Sequence, residues 1–373
     1  MTADSIGVVI PTHRRPLDLA RCLGGIARNL QPGEDLEVIV VDDGSDCSYD
    51  EVIDCSDVPV RYVRQPQRGP AAARNRGLRL SSADIVAFLD DDCAPSSTWL
   101  HDLRVAFSHH PEVAALGGSV EPMYPENRIA AFVHANGLLR HDWHETYGWQ
   151  LITCNAAFRR EALEAVDGFD EEYRFAGGED YDLSRRMWAK DLERGVIDGA
   201  VVYHRHAMRV AELVRTGQRY GGASYRLELL DRRLLPPASP TASRGRGVAA
   251  EPTAVKVDRS VVERGTDFVR LVVGTVQGFL FRHRGIVWRL VMRAGEAANR
   301  VSPNGARWLH RGARWVVIGV VQTRYIGGRY ARFRAAGETR TTSSIYMVLG
   351  TMYETAYWAA RGIRAFVEVN YQR

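Results

Sequence analysis

The amino-acid sequence predicts an α/β fold, a doubly wound and mostly parallel sheet, followed by a mainly α-helical C-terminal module. Short apolar runs alternate with helix-like segments over about the first 110 residues, a pattern typical of βαβ units. Acidic clusters directly follow two of these runs, at the strand end where such sheets bind ligands. The formal charge also changes sign along the chain. Residues 253–373 hold 20 Lys and Arg against 7 Asp and Glu, whereas residues 1–252 hold 29 against 38.

Length and composition exclude several classes of protein. The 373 residues exceed one typical domain, and contents of 45% hydrophobic and 25% charged residues exclude disorder over most of the chain. The longest uncharged runs, Thr146–Phe158 and Thr341–Tyr353, have 13 residues each, fewer than the roughly 18 of a transmembrane helix. The apolar stretch Ile6–Ile10 follows Asp4, so no secretory signal is expected. Five cysteines without a Cys-x-x-Cys pair favour a reduced, cytoplasmic compartment.

The alternation of strands and helices is clearest in the first 90 residues. Strands are predicted from short apolar runs, and helices from apolar residues that recur every three or four positions. The predicted elements are the strand Ile6–Ile10, a helix from Pro16, the strands Leu36–Val41 and Val60–Val63, a helix from Gly69-Pro70 to about Leu80, and the strand Ile85–Leu89.

From Val113 to about Arg233 the pattern is more mixed. Helices are predicted at Phe158–Val166, Asp180–Asp191 and Val210–Arg233, and a strand at Val196–Tyr203. The stretch Pro236–Gly247 is rich in Pro, Ser and Gly, which predicts a mobile linker. We therefore expect an α/β domain over residues 1–233, a linker over 234–257 and a basic module over 258–373. Helices are predicted in that module at Val261–Met292, Trp308–Tyr330 and Ile345–Val369.

Three consecutive aspartates, Asp90–Asp92, directly follow the strand Ile85–Leu89. Carboxylates this close raise one another's pKa unless a cation offsets their charge. Their hard oxygens suit Mg²⁺ or Mn²⁺, so a metal site is one interpretation and a solvated turn before a helix near Ser96 is the other. A second acidic loop, Asp42-Asp43, ends a neighbouring strand at the same predicted edge. This pairing favours the metal site.

Five short motifs follow one another along the chain. They are Val9-Ile10-Pro11-Thr12, Val40-Val41-Asp42-Asp43-Gly44-Ser45, Ala73-Arg74-Asn75-Arg76-Gly77, Phe88-Leu89-Asp90-Asp91-Asp92 and Gly177-Gly178-Glu179-Asp180. In this order they resemble glycosyltransferase family 2 over roughly residues 5–225. The resemblance implies a GT-A fold, which binds a sugar nucleotide with a divalent metal and usually inverts the anomeric centre. Residues 1–233 would then be the catalytic domain.

The resemblance implies a role for each donor-side motif. Pro11 and Thr12 would line the nucleobase pocket, and Asp43 would accept a hydrogen bond from the base or the ribose. Arg74 would approach the ribose or diphosphate, where a guanidinium suits phosphate oxygens, and Asp90 would contact the ribose. The alternatives are an Asx turn at Asp42-Asp43 and a solvated helix face around Arg74.

The metal and its ligands are also implied by the resemblance. Asp92 would bind Mn²⁺ or Mg²⁺, which neutralises charge on the departing nucleoside diphosphate. A histidine after the strand Val196–Tyr203 would complete the site, and neutral imidazole is a workable ligand. His204 and His206 would face opposite sides if the strand continued, and His204 is preferred. An ordinary polar strand end is the alternative.

On the acceptor side the resemblance points to Asp180. An inverting transfer needs a carboxylate to take the proton of the acceptor hydroxyl, and Asp180 is the candidate general base. Glu179 would orient the acceptor or Asp180. The alternative is that Asp180 is the N-cap of the helix that follows. Trp143, Trp149 and Trp188 could stack on a sugar ring, although core packing is the commoner use of such side chains.

Two other classes of function stay open. A nucleotidyltransferase would carry a glycine-rich, lysine-containing loop after the first strand, whereas this chain has Pro11-Thr12-His13-Arg14-Arg15. A non-catalytic nucleotide-sugar binder or membrane scaffold would need neither Asp92 nor Asp180.

The C-terminal module has a charge balance of +13, which indicates an anionic partner. No recognisable nucleic-acid motif accompanies it, so nucleic acid is not the expected partner. Arg-rich, Trp-bearing segments such as Leu271–Met292 fit an interfacial helix. We therefore expect a peripheral position on the cytoplasmic face of a membrane, with a glycan, lipid-linked or small-molecule acceptor. A bundle that packs on the catalytic domain or forms a homodimer is the alternative.

Overall fold

The computed structural model describes residues 4–30 and 36–234, together with Gly350 and Tyr357. The predicted linker and C-terminal helices lie outside the described residues, apart from Leu234, Gly350 and Tyr357. The strands are β1 (Ile6–Thr12), β2 (Glu37–Asp43), β3 (Val60–Gln65), β4 (Ile85–Leu89), β5 (Cys93–Pro95), β6 (Ala115–Gly117), β7 (Val120–Pro122), β8 (Asp142–His144), β9 (Gly148–Gln150), β10 (Asn155–Arg159), β11 (Arg194–Val196) and β12 (Val202–His204). The helices are α1 (Pro16–Ala27), α2 (Asp50–Asp54), α3 (Pro70–Leu80), α4 (Trp99–His109), α5 (Arg128–Ala135), α6 (Arg160–Ala165), α7 (Glu179–Trp188) and α8 (Val210–Leu234).

A seven-stranded sheet forms the centre of the fold, in the order β11-β6-β10-β4-β1-β2-β3. The strands β4, β1, β2 and β3 run parallel to one another, whereas β10 is antiparallel to both β4 and β6. In the register of β1 and β2, Thr12 lies beside Asp42. The predicted α/β fold with a mostly parallel sheet is confirmed.

The core lies on both faces of this sheet, which explains why the central strands are apolar without interruption. Val8 and Ile10 of β1 pack into the cluster that holds α1 and α4, and Val9 packs into the opposite cluster with residues of α3, α6 and α7. All three side chains are fully buried. A parallel sheet covered by helices on both faces requires strands that are apolar on both sides. For this reason the uninterrupted apolar run Ile6–Ile10 could be predicted as a strand.

A second, three-stranded sheet has the order β5-β12-β7. Its strand β5 begins at Cys93, directly after the three aspartates, and β12 pairs with it so that His204 lies beside Cys93. The same strand runs parallel to β7. This small sheet therefore brings the end of β12 to the acidic cluster. A separate hairpin of β8 and β9 places Trp143 opposite Trp149.

Two predicted elements are wrong in part. The predicted helix Phe158–Val166 begins as the strand β10, whose Phe158 pairs with Val86 and Ala115 in the main sheet, and becomes helical only at Arg160. A short apolar run does not distinguish a buried strand from a buried helix by periodicity. The predicted strand Val196–Tyr203 is two strands in different sheets, separated by a turn in which Ala200 has a positive φ of 49°.

The chain divides into two compact units. The first comprises residues 1–209 and 226–235, and the second comprises residues 210–225 and 236–373. In the second unit, a Cβ atom at Gly221 would overlap the carbonyl oxygen of Tyr357, so only glycine permits this approach of the two backbones. The boundaries predicted near residues 233 and 258 stay predictions. None of the helices in the described ranges combines the length and apolar character needed to span a bilayer.

Candidate active site

The ends of three neighbouring strands build the site. Thr12 ends β1, Asp43 ends β2, and Asp90–Asp92 follow β4, with β1 between the other two strands. The hydroxyl of Thr12 donates to Oδ2 of Asp91 at 2.8 Å, which ties β1 directly to the acidic cluster. The sequence-predicted donor residues Pro11, Thr12 and Asp43 are all buried at this edge.

Asp91 is the most enclosed of the three aspartates. It is 4% exposed and accepts hydrogen bonds from Thr12 and, at 3.0 Å, from Nη1 of Arg15. Thr12 in turn lies 3.0 Å from the hydroxyl of Tyr49. Burial raises the pKa of Asp91 to about 7, and the positive charge of Arg15 opposes this shift. Asp91 therefore serves as a buried anchor for Arg15 rather than as an open ligand.

Asp92 has a different partner at each carboxylate oxygen. Its Oδ2 accepts from Nη1 of Arg15 at 2.6 Å, and its Oδ1 lies 3.4 Å from Nε2 of His204. Burial acts to raise the pKa of Asp92, but His204 and Arg15 together bring it below its usual value. The carboxylate is thus charged at neutral pH, as a metal ligand must be.

A set of side chains suited to a cation surrounds Asp92. Ligand atoms of Asp92, Cys93 and His204 all lie within 4.8 Å of one another. The carboxylate and imidazole fit Mn²⁺ or Mg²⁺, whereas burial raises the pKa of the Cys93 thiol and keeps it protonated. Cys93 lies outside the five motifs, although it directly follows the three aspartates.

His204, the last residue of β12, and His206 do not face opposite sides. The strand ends at His204, and the backbone N–H of His206 donates to the carbonyl oxygen of His204 at 2.9 Å. This turn brings Nδ1 of His206 to 3.1 Å from Nδ1 of His204. Burial lowers the pKa of His206 to about 3, so its ring is neutral. The expected alternation of the two side chains fails because the strand does not continue.

Arg74 joins the acidic cluster to the acceptor-side motif. Its Nη2 donates to Asp90 at 2.7 Å and its Nη1 donates to Glu179 at 2.9 Å. The side chain is 3% exposed and its guanidinium lies 5.7 Å from the ring centre of Phe169. The alternative of a solvated helix face is therefore wrong at Arg74.

Asp180 is the second residue of α7. The N-cap is Gly178, which has a left-handed φ of 89°, so the alternative in which Asp180 caps the helix is wrong. Oδ1 of Asp180 accepts from the N–H of Tyr181 at 2.9 Å. Burial and the neighbouring Glu179 raise the pKa of Asp180 to about 7, and Arg74 opposes the shift. A carboxyl with this pKa suits proton abstraction near neutral pH.

The two aspartates at the end of β2 have separate tasks. Asp42 stabilises the turn after β2, because its Oδ1 accepts from the N–H of Ser45, three residues on, at 2.9 Å; an Asx turn would bond the N–H two residues on. Asp43 instead binds the loop before α3, accepting from the N–H of Arg68 at 2.8 Å and of Gly69 at 2.7 Å. Gly69 has a φ of 96°, and a Cβ atom there would lie 2.5 Å from the carbonyl oxygen of Arg174. The donor-side loop thus touches the segment that precedes α7.

The three tryptophans proposed as a stacking platform are in different environments. Trp143 is 47% exposed and packs edge-on against Trp149 with ring centres 5.5 Å apart. Trp149 packs against the core cluster that contains Val9 and residues of α3, α6 and α7. Trp188 packs edge-on against Tyr147 at 5.2 Å. Only Trp143 of the three presents a largely exposed ring.

Two family models match the chain. Residues 7–167 match the model of glycosyl transferase family 2, and residues 139–210 match the model described as the N-terminal domain of galactosyltransferase. Together they cover the strand-end motifs and the Gly177–Asp180 motif.

Curated relatives agree with these matches. The chain is 28% identical over 240 residues to a chondroitin synthase of Escherichia coli, covering 54% of this chain and 34% of the relative. It is 28% identical over 238 residues to glycosyltransferase AglE of Haloferax volcanii, covering 62% of this chain and 76% of the relative. The chain therefore spans about a third of the length of the chondroitin synthase that it resembles.

Among solved structures, a mannosyltransferase from Pyrobaculum calidifontis superposes with a TM-score of 0.53 at 18% sequence identity. The match covers 99% of this chain and 88% of that chain. At this identity the likeness concerns the fold, which is of the GT-A type. Residues 7–167, which carry the strand-end motifs, are therefore similar to glycosyltransferase family 2.

Proposed function

We propose that the chain is a metal-dependent glycosyltransferase that moves a sugar from a nucleotide-sugar donor to an acceptor hydroxyl with inversion. The observation that carries the proposal is the buried Arg74, which binds Asp90 and Glu179 at once. It supports a single site in which donor-side carboxylates and the candidate base Asp180 are held in fixed relation.

On the donor side, Asp92 and His204 would hold Mn²⁺ or Mg²⁺. The bound ion supplies positive charge that stabilises the departing nucleoside diphosphate. Pro11 and Thr12 would line the base pocket at the end of β1. The side chain of Asp90 is 29% exposed, which leaves its free oxygen able to accept from a ribose hydroxyl. Asp43 would act on the base or ribose while it holds the N–H of Gly69.

On the acceptor side, Asp180 would take the proton of the attacking hydroxyl. The hydroxyl oxygen forms a bond to the anomeric carbon as the bond from that carbon to the diphosphate oxygen breaks. The electron pair of the broken bond leaves with the diphosphate, and the proton stays on Asp180. Attack from the face opposite the diphosphate gives inversion. Glu179 is 3% exposed and fixed by Arg74, which favours an orienting role.

The choice of first probes follows from the similar structure, whose mannosyltransferase is described in complex with GDP-Man and Mn²⁺. We propose Mn²⁺ as the first metal to test, with GDP- and UDP-sugars as donors. For the acceptor we propose a glycan, lipid-linked or small-molecule hydroxyl. The charge balance of +13 in residues 253–373 supports a lipid-linked acceptor at the cytoplasmic face of a membrane. Neither a nucleotidyltransferase nor a non-catalytic binder is favoured by any feature of the site.

The test is a thermal-shift screen of GDP- and UDP-sugars with Mn²⁺, followed by mass spectrometry of any product. The stabilisation by donor should require Mn²⁺ and should be lost in Asp92→Ala. Asp46→Ala is the matched control, because the Asp46 side chain is 71% exposed and its ion pair is with Arg14. Full turnover in excess chelator, or unchanged Mn²⁺-dependent stabilisation of Asp92→Ala, would contradict the proposal.

A further inference from the structure

Arg15 is fixed at the mouth of the acidic cluster by its own backbone. Its N–H donates to the hydroxyl of Tyr49 at 3.0 Å, and its carbonyl oxygen accepts from Leu19 at the start of α1. The side chain then runs from the loop after β1 to the loop after β4. This placement depends on residues that lie 76 and 77 positions apart in the chain.

One nitrogen of Arg15 serves two carboxylates. Nη1 donates to Asp91 at 3.0 Å and to Asp92 at 2.6 Å. The Arg15 side chain is 40% exposed, whereas those of Asp91 and Asp92 are 5% and 9% exposed. The guanidinium therefore covers two buried carboxyl groups from the solvent side. Two adjacent buried carboxylates without such a partner would carry a large cost in free energy.

His204 and Arg15, the two neighbours of Asp92, would respond differently to a bound divalent cation. His204, at Oδ1, has a nitrogen lone pair and can become a ligand of the same ion. Arg15, at Oδ2, has five N–H donors, no lone pair and a fixed positive charge. A guanidinium at 2.6 Å from Asp92 repels a divalent ion bound to that carboxylate, and it cannot share in its coordination.

We propose that Arg15 is a built-in counter-cation of the acidic cluster, which leaves Asp92 when the metal binds and then pairs with the diphosphate of the donor. This inference rests on the proposed function. Asp91 keeps its hydrogen bond to Arg15 throughout and acts as the tether. The guanidinium has free donors for phosphate oxygens, which it binds in a planar fork. Metal and donor binding are thereby linked through one side chain.

The proposal predicts effects of opposite sign on two ligands. Removing the charge of Arg15 should tighten the binding of Mn²⁺ alone, because the ion no longer competes with a fixed cation for Asp92. The same change should weaken the binding of a nucleoside diphosphate to the Mn²⁺-loaded chain. A purely structural role for Arg15 would weaken both, because damage to the loop after β1 would disturb both sites.

The experiment uses the full chain with Arg15→Gln, Arg15→Lys and the control Arg14→Gln. Arg14 is the adjacent arginine and forms an ion pair with Asp46. The side chains of Arg14 and Asp46 are 58% and 71% exposed. Free Mn²⁺ is measured by electron paramagnetic resonance without nucleotide, and GDP and UDP binding are measured by calorimetry at saturating Mn²⁺. In Arg15→Gln we expect Mn²⁺ to bind about tenfold more tightly and the better-binding diphosphate about tenfold more weakly. Arg15→Lys and Arg14→Gln should stay near wild type for Mn²⁺.

Thermal unfolding supplies an independent measurement. Without metal, Arg15→Gln should unfold at a lower temperature than wild type, and saturating Mn²⁺ should remove most of the difference. The counter-cation role is overturned if Mn²⁺ binds Arg15→Gln no more tightly than wild type, or if diphosphate affinity is unchanged. If Arg15→Gln does not fold, Mn²⁺ that fails to restore folding overturns it as well. A wild-type chain that binds neither Mn²⁺ nor diphosphate would instead refute the proposed function.

Discussion

Glu179 accepts a hydrogen bond from the guanidinium of Arg74 at 2.9 Å, although 105 positions separate the two residues in the chain. The same guanidinium binds Asp90, 16 positions away. Because Arg74 and Glu179 are both buried, this contact is sheltered from solvent screening. It fixes the start of α7, and with it Asp180, relative to the end of β4.

We expect Arg74→Met to destabilise the fold strongly. The substitution keeps an unbranched side chain of similar length but leaves Glu179 buried without its cation, which typically costs about 3–5 kcal/mol. Urea unfolding followed by circular dichroism measures the loss. Arg79→Met is the control on the same helix, because the Arg79 side chain is 55% exposed and its ion pair with Glu171 spans 3.7 Å. Equal unfolding midpoints for the two variants would show that the Arg74 contacts contribute little to stability.

We expect Asp180→Asn to lower turnover by about 10²-fold or more, the usual effect of losing a general base. Asparagine keeps the size of the side chain and an oxygen that can accept from Tyr181. Donor affinity should change little, because Asp180 lies on the acceptor side of the Arg74 contact. Steady-state kinetics and donor calorimetry on the same preparation separate the two effects. Near wild-type turnover would place the base elsewhere.

Turnover of the wild-type chain should rise with pH through about 7. Burial and Glu179 raise the pKa of Asp180 to about 7, so below this pH the carboxyl is protonated and cannot accept a proton. Above it the carboxylate is available. The measurement is a profile of kcat between about pH 5.5 and 8.5, chosen to bracket that pKa. Asp180→Asn should lack the rise. A rise of the same midpoint in the variant would assign it to another group.

Substitutions of His204 and Cys93, which lie beside each other on β12 and β5, test which of the two side chains binds the metal. We expect His204→Ala to weaken Mn²⁺ binding by about 10-fold or more, within the effect that losing a ligand or its support typically has. Cys93→Ser should leave it nearly unchanged, because burial raises the pKa of the Cys93 thiol and Mn²⁺ prefers oxygen and nitrogen. Calorimetry with Mn²⁺ measures both. A large loss in Cys93→Ser would make the thiolate a ligand.

The basic C-terminal residues should carry the chain to anionic membranes. Each Lys or Arg near such a surface contributes roughly 1 kcal/mol, and residues 253–373 hold 20 of them. Co-sedimentation of the full chain with anionic vesicles should exceed that with zwitterionic vesicles, and it should fall as salt is raised. Equal sedimentation with both, or with neither, would favour a dimerisation or acceptor-recognition bundle, and light scattering would then show a dimer.

The central strands and the two acidic loops could be predicted from sequence because their signals are local. Ile85–Leu89 is apolar throughout since both of its faces are covered, and the aspartates follow it without a gap. The strand β10 could not be predicted in the same way. Its five residues Asn155–Arg159 run directly into α6, and only pairing with β4 and β6 shows that they are extended.

The partners of the site residues could not be predicted because they depend on the folded sheet. Arg74 belongs to a motif, but nothing near it in the chain indicates that it joins Asp90 to Glu179. Arg15 lies three positions after Thr12, and only the closeness of β1 and β4 reveals its bonds to Asp91 and Asp92. In both cases the sequence shows the arginine, but the carboxylates that it binds are distant in the chain.

The close backbone approach of Gly69 to Arg174 fixes one end of the segment before α7. At one end, Arg174 is pressed against a glycine that has no room for a Cβ atom. At the other, Glu179 is clamped by Arg74. Between these points, the N–H of Gly177 donates to Oε2 of Glu179 at 2.6 Å, and Gly177 and Gly178 have φ angles of 128° and 89°. The segment that leads into α7 is therefore held at both ends and tied to Glu179 within itself, and a side chain at either of its two glycines would strain the backbone.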